Sequence, residues 1–164
     1  MEFIKKIDEF YKSGQEVKLF LDMDGTVVEF IFDLDNSFNK KGGYIMKRPI
    51  RPIVEKIKEI NHYYPSIEIY ILSCSSSKDM TREKNEWLDI YMPFIDKKNR
   101  IIIEENDVKH DNAYSNTIKT KFINNNIMSD ELVIFIDDDC RILCETQKVL
   151  KNRVLPIHVT SLLI

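Results

Sequence analysis

Five short apolar runs alternate with amphipathic stretches along the chain, and this alternation is the strongest constraint on its fold. The runs are Val17–Leu21, Ile67–Leu72, Arg100–Ile103, Leu132–Ile136 and Val154–Val159. Four of them are nearly continuous in apolar residues, which is typical of strands that helices cover on both faces. Helical spacing recurs before the first run and between the others, over Glu2–Lys12, Pro52–Tyr63, Thr81–Tyr91, Asn112–Asn124 and about Cys140 to Leu150. The pattern predicts an α/β fold, a three-layer, Rossmann-like sandwich around a central, mostly parallel five-stranded sheet.

The length of the chain indicates one domain with an inserted segment. Its 164 residues fit a single domain over 1–164 with one core. The segment at about 29–47 is too long for a tight turn between the first strand and the following helix. It carries aromatic residues among polar ones, and we interpret it as a minimal cap over the mouth of a site. An ordered loop with no role in substrate binding is the alternative.

Charge and hydropathy exclude several classes of protein. The formal net charge is −3, whereas a general nucleic-acid-binding protein needs a basic face, so nucleic acid is not an expected partner. No apolar run approaches the ~18 residues that span a bilayer. The amphipathic N-terminal stretch also lacks the apolar centre of a signal peptide. We therefore expect a cytoplasmic protein that makes no membrane contact.

Polar residues follow four of the five predicted strands. In a parallel sheet, ligands bind beyond the carboxyl ends of the strands, where the strand order reverses. Residues that follow the strands should therefore converge on one edge of the sheet. They are Asp22-Met23-Asp24-Gly25-Thr26 after the first run, Ser73 and Cys74 after the second, the stretch leading to Lys109 after the third, and Asp137-Asp138-Asp139 after the fourth.

Acidic side chains crowded at one edge repel one another unless a cation neutralises them. Mg²⁺ prefers one or two protein carboxylates together with a carbonyl, waters and a phosphate oxygen. We assign Asp22 and either Asp137 or Asp138 as side-chain ligands, and the backbone carbonyl of Asp24 as a third ligand. The alternative for Asp137-Asp138-Asp139 is an acidic cluster that caps the next helix, where its negative charge favours the helix dipole.

Phosphoryl transfer is the chemistry that these residues favour. With phosphate bound beside the metal, Asp22 is the predicted nucleophile and forms an aspartyl-phosphate. Asp24 would protonate the leaving oxygen and later activate water, which requires the two carboxylates to have different pKa values. Gly25 allows a sharp turn of the chain beneath the phosphate.

Thr26, Ser73, Cys74 and a lysine are the predicted contacts of the substrate phosphate. Ser73 can donate a hydrogen bond to a phosphate oxygen, with the backbone amides of the following turn assisting it. A lysine would balance the charge of the phosphoryl group during transfer. We place this catalytic and substrate-binding lysine at Lys109, and the alternatives are Lys98, Lys119 and Lys121.

With these residues in place, the chain resembles the haloacid dehalogenase-like (HAD) superfamily of phosphohydrolases. The four signature elements of that superfamily match Asp22–Thr26, Ser73, Lys109 and Asp137-Asp138, and the resemblance runs from about Val17 to Val159. Within the superfamily, the chain is similar to the 5′-nucleotidase type C group, which includes the deoxyribonucleotidases. The residues that carry this closer likeness are Met46-Lys47-Arg48-Pro49, Glu83-Lys84-Asn85-Glu86-Trp87-Leu88 and Ile136-Asp137-Asp138.

The resemblance implies a Mg²⁺-dependent phosphatase, and the closer likeness implies removal of phosphate from nucleoside monophosphates. We therefore expect an enzyme that hydrolyses a small phosphorylated metabolite, with 5′-nucleotidase activity as the specific form. Three alternatives stay open: a phosphotransferase or mutase, a nucleic-acid-end phosphatase on the same fold, and a non-catalytic phosphate-binding protein.

Overall fold

The computed structural model describes residues 2–31, 40–104 and 115–163. In chain order its helices and strands are α1 Glu2–Lys12, β1 Val17–Leu21, α2 Arg51–Tyr63, β2 Glu68–Ser75, α3 Lys78–Tyr91, β3 Arg100–Glu104, α4 Ser115–Asn125, β4 Leu132–Asp137, α5 Cys140–Leu150 and β5 Val154–His158. Every predicted strand and helix is thus present, with ends that differ by a few residues, except that residues 112–114 of the predicted fourth helix lie outside the described residues. None of the helices in these three ranges combines the length and the apolar character needed to cross a membrane.

The five strands form one sheet in the order β3-β2-β1-β4-β5, and every pairing is parallel. The predicted Rossmann-like α/β fold is confirmed, and the sheet is entirely rather than mostly parallel. β1 lies at the centre, where Leu21 pairs with Ile71 of β2 on one side and with Ile136 of β4 on the other. The strand order reverses between β1 and β4, so the carboxyl ends of these two strands border the crevice in which such folds bind ligands.

Helices cover both faces of the sheet, which explains why the strands read as continuous apolar runs. Side chains alternate between faces along a strand. In β1, Leu19 and Leu21 pack into the core that α1, α2 and α3 share, whereas Phe20 packs into the core formed with α4 and α5. All three side chains are at most 2% exposed.

A short stretch between β1 and α2, Lys40–Arg48, is fixed to α3, and we call it the site segment. The buried carboxylate of Glu83 accepts hydrogen bonds from the backbone N–H groups of Gly42 at 2.6 Å and Tyr44 at 2.9 Å. The indole N–H of Trp87 donates to the carbonyl of Lys47 at 2.9 Å. Residues 32–39 of the predicted cap lie outside the described residues, so a cap over 29–47 stays a prediction.

The anchoring of the site segment should depend strongly on Glu83. We expect Glu83→Ala to lower the free energy of unfolding by about 2 kcal/mol, because it leaves the buried N–H of Tyr44 without an acceptor and also removes the acceptor of the Gly42 N–H. Glu86→Ala is the matched control, since Glu86 is exposed on the same helix and only pairs with Arg82 at 3.5 Å. Its effect should stay within about 0.5 kcal/mol. Urea unfolding of the two variants measures both values, and equal effects would contradict the anchoring role.

Candidate active site

The chain turns sharply after β1, at the switch point of the sheet. Asp22 directly follows the strand, and its N–H donates to the carbonyl of Ile136 in β4 at 3.0 Å. Three residues into this turn, Gly25 has a φ of +79°, which L side chains rarely adopt. A Cβ at this position would lie 2.2 Å from Oδ2 of Asp138. The positive φ therefore favours glycine here, and a side chain at this position would also displace the carboxylate of Asp138.

Three aspartates from the two turns form an acidic cluster. One carboxylate oxygen from each of Asp22, Asp137 and Asp138 lies within 4.8 Å of the others. Asp22 is 4% exposed and Asp137 is 1% exposed, whereas Asp138 is open to solvent. One carboxylate oxygen of Asp137 accepts a hydrogen bond from the backbone N–H of Asp139 at 2.9 Å, which fixes the orientation of that carboxylate. Such a set of carboxylates is a donor set that Mg²⁺ accepts.

Asp139 has a different role from its two neighbours. It is the N-cap of α5, where its carboxylate accepts from the backbone N–H of Arg141 at 2.8 Å and pairs with the guanidinium of that residue at 2.7 Å. The interpretation of the acidic run as a helix cap therefore holds for Asp139. Asp137 and Asp138 belong to the cluster with Asp22 instead.

Lys119 lies between two of the clustered carboxylates. It projects from α4, is 6% exposed, and donates to Asp22 at 2.5 Å and to Asp137 at 2.8 Å. Lys119 was one of the alternatives to Lys109, and Lys109 itself lies outside the described residues. The other two alternatives, Lys98 and Lys121, are exposed.

Asp24 is paired separately from the acidic cluster. Its two carboxylate oxygens accept from the ammonium groups of Lys47 at 3.1 Å and Lys84 at 2.6 Å. Its side chain is not among the clustered acids, and the predicted metal ligand at this residue, the backbone carbonyl, stays a prediction.

Lys84 connects Asp24 to the end of β2. Besides Asp24, its ammonium group donates to the hydroxyl of Ser73 at 2.8 Å and to the carbonyl of Cys74 at 2.6 Å. An ammonium group has three N–H donors, so these three contacts occupy all of them. At 1% exposed, Lys84 is among the largest fully buried side chains of the protein.

Lys47 and Lys84 belong to stretches that carry the closer family likeness, but neither was assigned to the site from the sequence, because neither stands at the end of a strand. A signal for Lys84 was present, since Glu83 and Lys84 occupy the same buried face of α3 as Trp87 and Leu88. Charged residues at such positions are rarely buried without partners. The buried charge on this helix therefore pointed to a partner elsewhere in the fold.

The hydroxyl of Thr26 donates to the second oxygen of Asp22 at 3.4 Å, and Thr26 is fully buried. The structure therefore brings together Asp22, Thr26, Lys119, Asp137 and Asp138. Three further predicted residues lie next to this group and are joined to one another by hydrogen bonds from Lys84: Asp24, Ser73 and Cys74. The substrate contacts of Thr26, Ser73 and Cys74 stay predictions.

The pKa values of Asp22 and Asp24 are shifted in opposite directions. Burial raises the pKa of Asp22 to about 6 against the opposing attraction of Lys119, and the charge of Asp137 adds to the increase. Burial also acts to raise the pKa of Asp24, but the ammonium groups of Lys84 and Lys47 outweigh it and hold the pKa below its usual value. The cluster around Asp22 thus carries more buried negative charge than Lys119 balances, which fits the binding of a divalent cation.

Tyr44, in the site segment, has a buried hydroxyl group without a hydrogen-bond partner among the described residues. The side chain is 1% exposed, and the ammonium groups of Lys47 and Lys84 lie 4.6 Å and 5.0 Å from the centre of its ring. A buried polar group left unsatisfied costs about 1–3 kcal/mol.

Comparison with solved structures relates the fold to known proteins. A chain of the Pnkp1/Rnl/Hen1 RNA repair complex superposes with a TM-score of 0.65 at 16% identity, over 89% of this chain and 43% of that one. A second structure of the Pnkp1/Rnl/Hen1 complex gives a TM-score of 0.64 at 16% identity, over 89% and 47% of the two chains. The HAD domain of effector protein Lem4 from Legionella pneumophila gives 0.50 at 15% identity, over 87% and 86%.

The chain therefore shares its fold with a HAD domain. This chain spans less than half the length of the matched chains in the two Pnkp1/Rnl/Hen1 complexes. No protein-family model matches the sequence, and no curated protein matches it either.

The raised pKa of Asp22 has a measurable effect on stability in the absence of metal. The pKa of Asp22 is about 6 in the folded protein, against 3.8 for an exposed aspartate in the unfolded chain, so the folded protein binds this proton more tightly. Proton binding to Asp22 therefore stabilises the fold at low pH, and this stabilisation is lost as the pH rises from about 4 to about 6. In EDTA at pH 8, Asp22→Asn should therefore raise the free energy of unfolding by about 3 kcal/mol, and the gain should shrink towards pH 4. Unfolding at a series of pH values measures it.

Asp139→Asn is the matched control, because asparagine also caps helices and Asp139 lies outside the acidic cluster. This variant should show no comparable gain at pH 8. A gain in Asp22→Asn that stays constant with pH would contradict the burial of an excess carboxylate.

Proposed function

We propose that this protein is a Mg²⁺-dependent phosphomonoesterase that acts on a small phosphorylated metabolite, such as a nucleoside monophosphate. The observation that carries the proposal is the convergence of Asp22, Lys119, Asp137 and Asp138 at the switch point of the sheet, with Asp24 two residues from Asp22. The likeness to a HAD domain supports the same class of chemistry. The 5′-nucleotidase form of the proposal comes from the sequence resemblance alone.

Asp22, Asp137 and Asp138 are the residues that would hold Mg²⁺ through their side chains. Their closely spaced oxygens and their excess of buried negative charge suit a hard divalent cation. When bound, the ion would supply charge neutralisation and polarise a phosphoryl oxygen.

The covalent chemistry is assigned to Asp22 and Asp24. A carboxylate oxygen of Asp22 forms a bond to phosphorus as the ester P–O bond breaks, and the leaving oxygen takes a proton from Asp24. Asp24 then takes a proton from water, whose oxygen bonds to phosphorus and releases phosphate from Asp22. In the resting protein, Lys84 and Lys47 keep Asp24 ionised. A bound phosphate brings negative charge beside this carboxylate and gives both lysines another anion, which favours proton uptake by Asp24.

Lys119 and Ser73 are assigned to the phosphoryl group. Lys119 replaces Lys109 in our assignment of the phosphate lysine, because its ammonium group contacts the proposed nucleophile. The oxygen of Ser73 accepts from Lys84, which leaves the hydroxyl hydrogen of Ser73 to donate to a phosphate oxygen. Lys84 thereby orients both Ser73 and Asp24, and it has no N–H left for the substrate.

The proposal is tested with a generic aryl phosphate. The purified protein should release phosphate in the presence of Mg²⁺ and lose this activity in EDTA. Asp22→Asn should lower kcat by at least about 10³-fold, since it removes the nucleophile. Asp139→Asn, in the same acidic run as Asp137 but outside the cluster, should keep the activity. Turnover retained in Asp22→Asn would contradict the mechanism.

Two of the alternatives differ from this proposal only in the fate of the bound phosphoryl group. A phosphotransferase or mutase would transfer the phosphoryl group from Asp22 to an acceptor hydroxyl rather than to water. A non-catalytic binding protein would be stabilised by a phosphate mimic such as beryllium fluoride without turnover. Free phosphate measured against phosphorylated acceptor in the same assay separates these outcomes.

A second candidate function, hydrolysis of a phosphate at a nucleic-acid end, is favoured by the composition of the site segment. Its nine residues include Lys40, Lys41, Lys47 and Arg48 and no acidic residue, although the whole chain has a net charge of −3. Lys40 and Lys41 also line a cleft of about 130 Å³ beside the first turn of α3, together with Tyr44, Ser77, Asp79, Met80 and Glu83. The likeness to a chain of an RNA repair complex agrees with this candidate.

The two substrate classes differ in their dependence on salt. If a polynucleotide strand lies along the site segment, kcat/KM for an oligonucleotide 3′-phosphate should exceed that for a nucleoside 3′-monophosphate. It should also fall steeply between about 50 and about 300 mM salt, because added salt opposes counterion release. The double variant Lys40→Gln/Lys41→Gln should then lose about tenfold on the oligonucleotide only. Lys5→Gln/Lys6→Gln, which makes the same charge change on α1, is the control. Equal values for both substrates would favour the metabolite phosphatase.

A further inference from the structure

The backbone on both sides of Tyr44 is held firmly against α3. Glu83 accepts hydrogen bonds from the N–H groups of Gly42 and Tyr44, and Trp87 donates to the carbonyl of Lys47. Glu83 is 4% exposed and Trp87 is fully buried. These contacts fix the place of the Tyr44 ring at the edge of the site.

The ring of Tyr44 shares both of its cationic neighbours with Asp24. The ammonium groups of Lys47 and Lys84 lie 4.6 Å and 5.0 Å from the ring centre, within the range of cation–π attraction. The same two groups bind the two carboxylate oxygens of Asp24. The phenol and the carboxylate are therefore held next to each other by one pair of lysines.

The hydroxyl of Tyr44 is a buried donor that faces the carboxylate of Asp24. It is buried, and no hydrogen bond to it is formed within the described ranges. Burial is the main cause that raises the pKa of Tyr44 above its usual range, and the charge and hydrogen-bonding contact of the Asp24 carboxylate add to it, so the phenol keeps its proton. Most buried polar groups in proteins have partners, and one that does not requires an explanation.

We propose that Tyr44 is a positioning residue for Asp24, and that its hydroxyl hydrogen-bonds the Asp24 carboxyl group while a proton passes between that group and the leaving oxygen. This inference rests on the proposed phosphatase function. Lysine can only donate, whereas a phenol oxygen both donates and accepts. Tyr44 can thus contact Asp24 both before and after the proton moves. The phenol keeps its own proton throughout, because the transferred proton comes from Asp24.

Tyr44→Phe tests the role of the hydroxyl, because it removes one oxygen and keeps the ring above both lysines. We expect kcat to fall about tenfold on an alkyl phosphate, whose leaving group needs the proton, and to change less than about twofold on p-nitrophenyl phosphate, whose leaving group does not. The thermal midpoint should not fall, since the ring packing remains. Tyr64→Phe is the matched control, because Tyr64 donates to Asp8 on α1 and has no contact with Asp24. It should leave both rates unchanged.

The double variant Tyr44→Phe/Asp24→Asn shows whether the hydroxyl acts through Asp24. If it does, the double variant should be no slower on the alkyl phosphate than Asp24→Asn alone. A further loss in the double variant, or equal losses on the two esters in Tyr44→Phe, would overturn the inference. An active wild type with an unaffected Tyr44→Phe would overturn this inference alone, whereas a wild type without phosphatase activity would overturn the proposed function as well.

Discussion

The acidic cluster at the ends of β1 and β4 is the constraint on which the rest of the site depends. Asp22 and Asp137 are buried side by side, and among the described residues Lys119 is the cation that lies between them. Burial of carboxylates in this way opposes folding unless a cation or protons compensate. This cost arises at the edge of the sheet where the neighbouring strands β1 and β4 both end. The Mg²⁺ ion of the proposed function would supply this compensation.

The carboxylates of the site form two separate sets of ion pairs, with lysines from three parts of the chain. Lys119 of α4 serves the acidic cluster, whereas Lys84 of α3 and Lys47 of the site segment serve Asp24. Two carboxylates separated by a single residue, Met23, therefore have different electrostatic surroundings. Their side chains differ in acidity because their cationic partners and their burial differ, and the opposite roles proposed for them follow from that difference.

The sequence predicted the parts of the molecule that depend on local pattern. The strands, the helices and the parallel pairing of the sheet follow from short apolar runs, and Asp22 and Asp137 were found because they stand where such runs end. Lys84, Lys47 and Tyr44 were not assigned to the site, because their positions depend on how α3 and the site segment pack over the sheet. No local periodicity encodes that packing.

The lysine of the site illustrates the same limit. Four lysines were compatible with the sequence, and distance along the chain favoured one that follows β3. Lys119 contacts Asp22 across 97 residues of sequence because α4 packs over the sheet against β2 and α5. This contact depends on where α4 packs against the sheet, which cannot be read from distances along the sequence.

The close approach of Gly25 to Asp138 has a consequence for the divergence of related proteins. A Cβ at position 25 would lie 2.2 Å from the Asp138 carboxylate, so a side chain there would displace one of the three acids of the cluster. Loss of the acid at position 138 would remove that contact but not the positive φ at position 25. Glycine therefore stays favoured at position 25 even in a relative that has lost the acidic cluster.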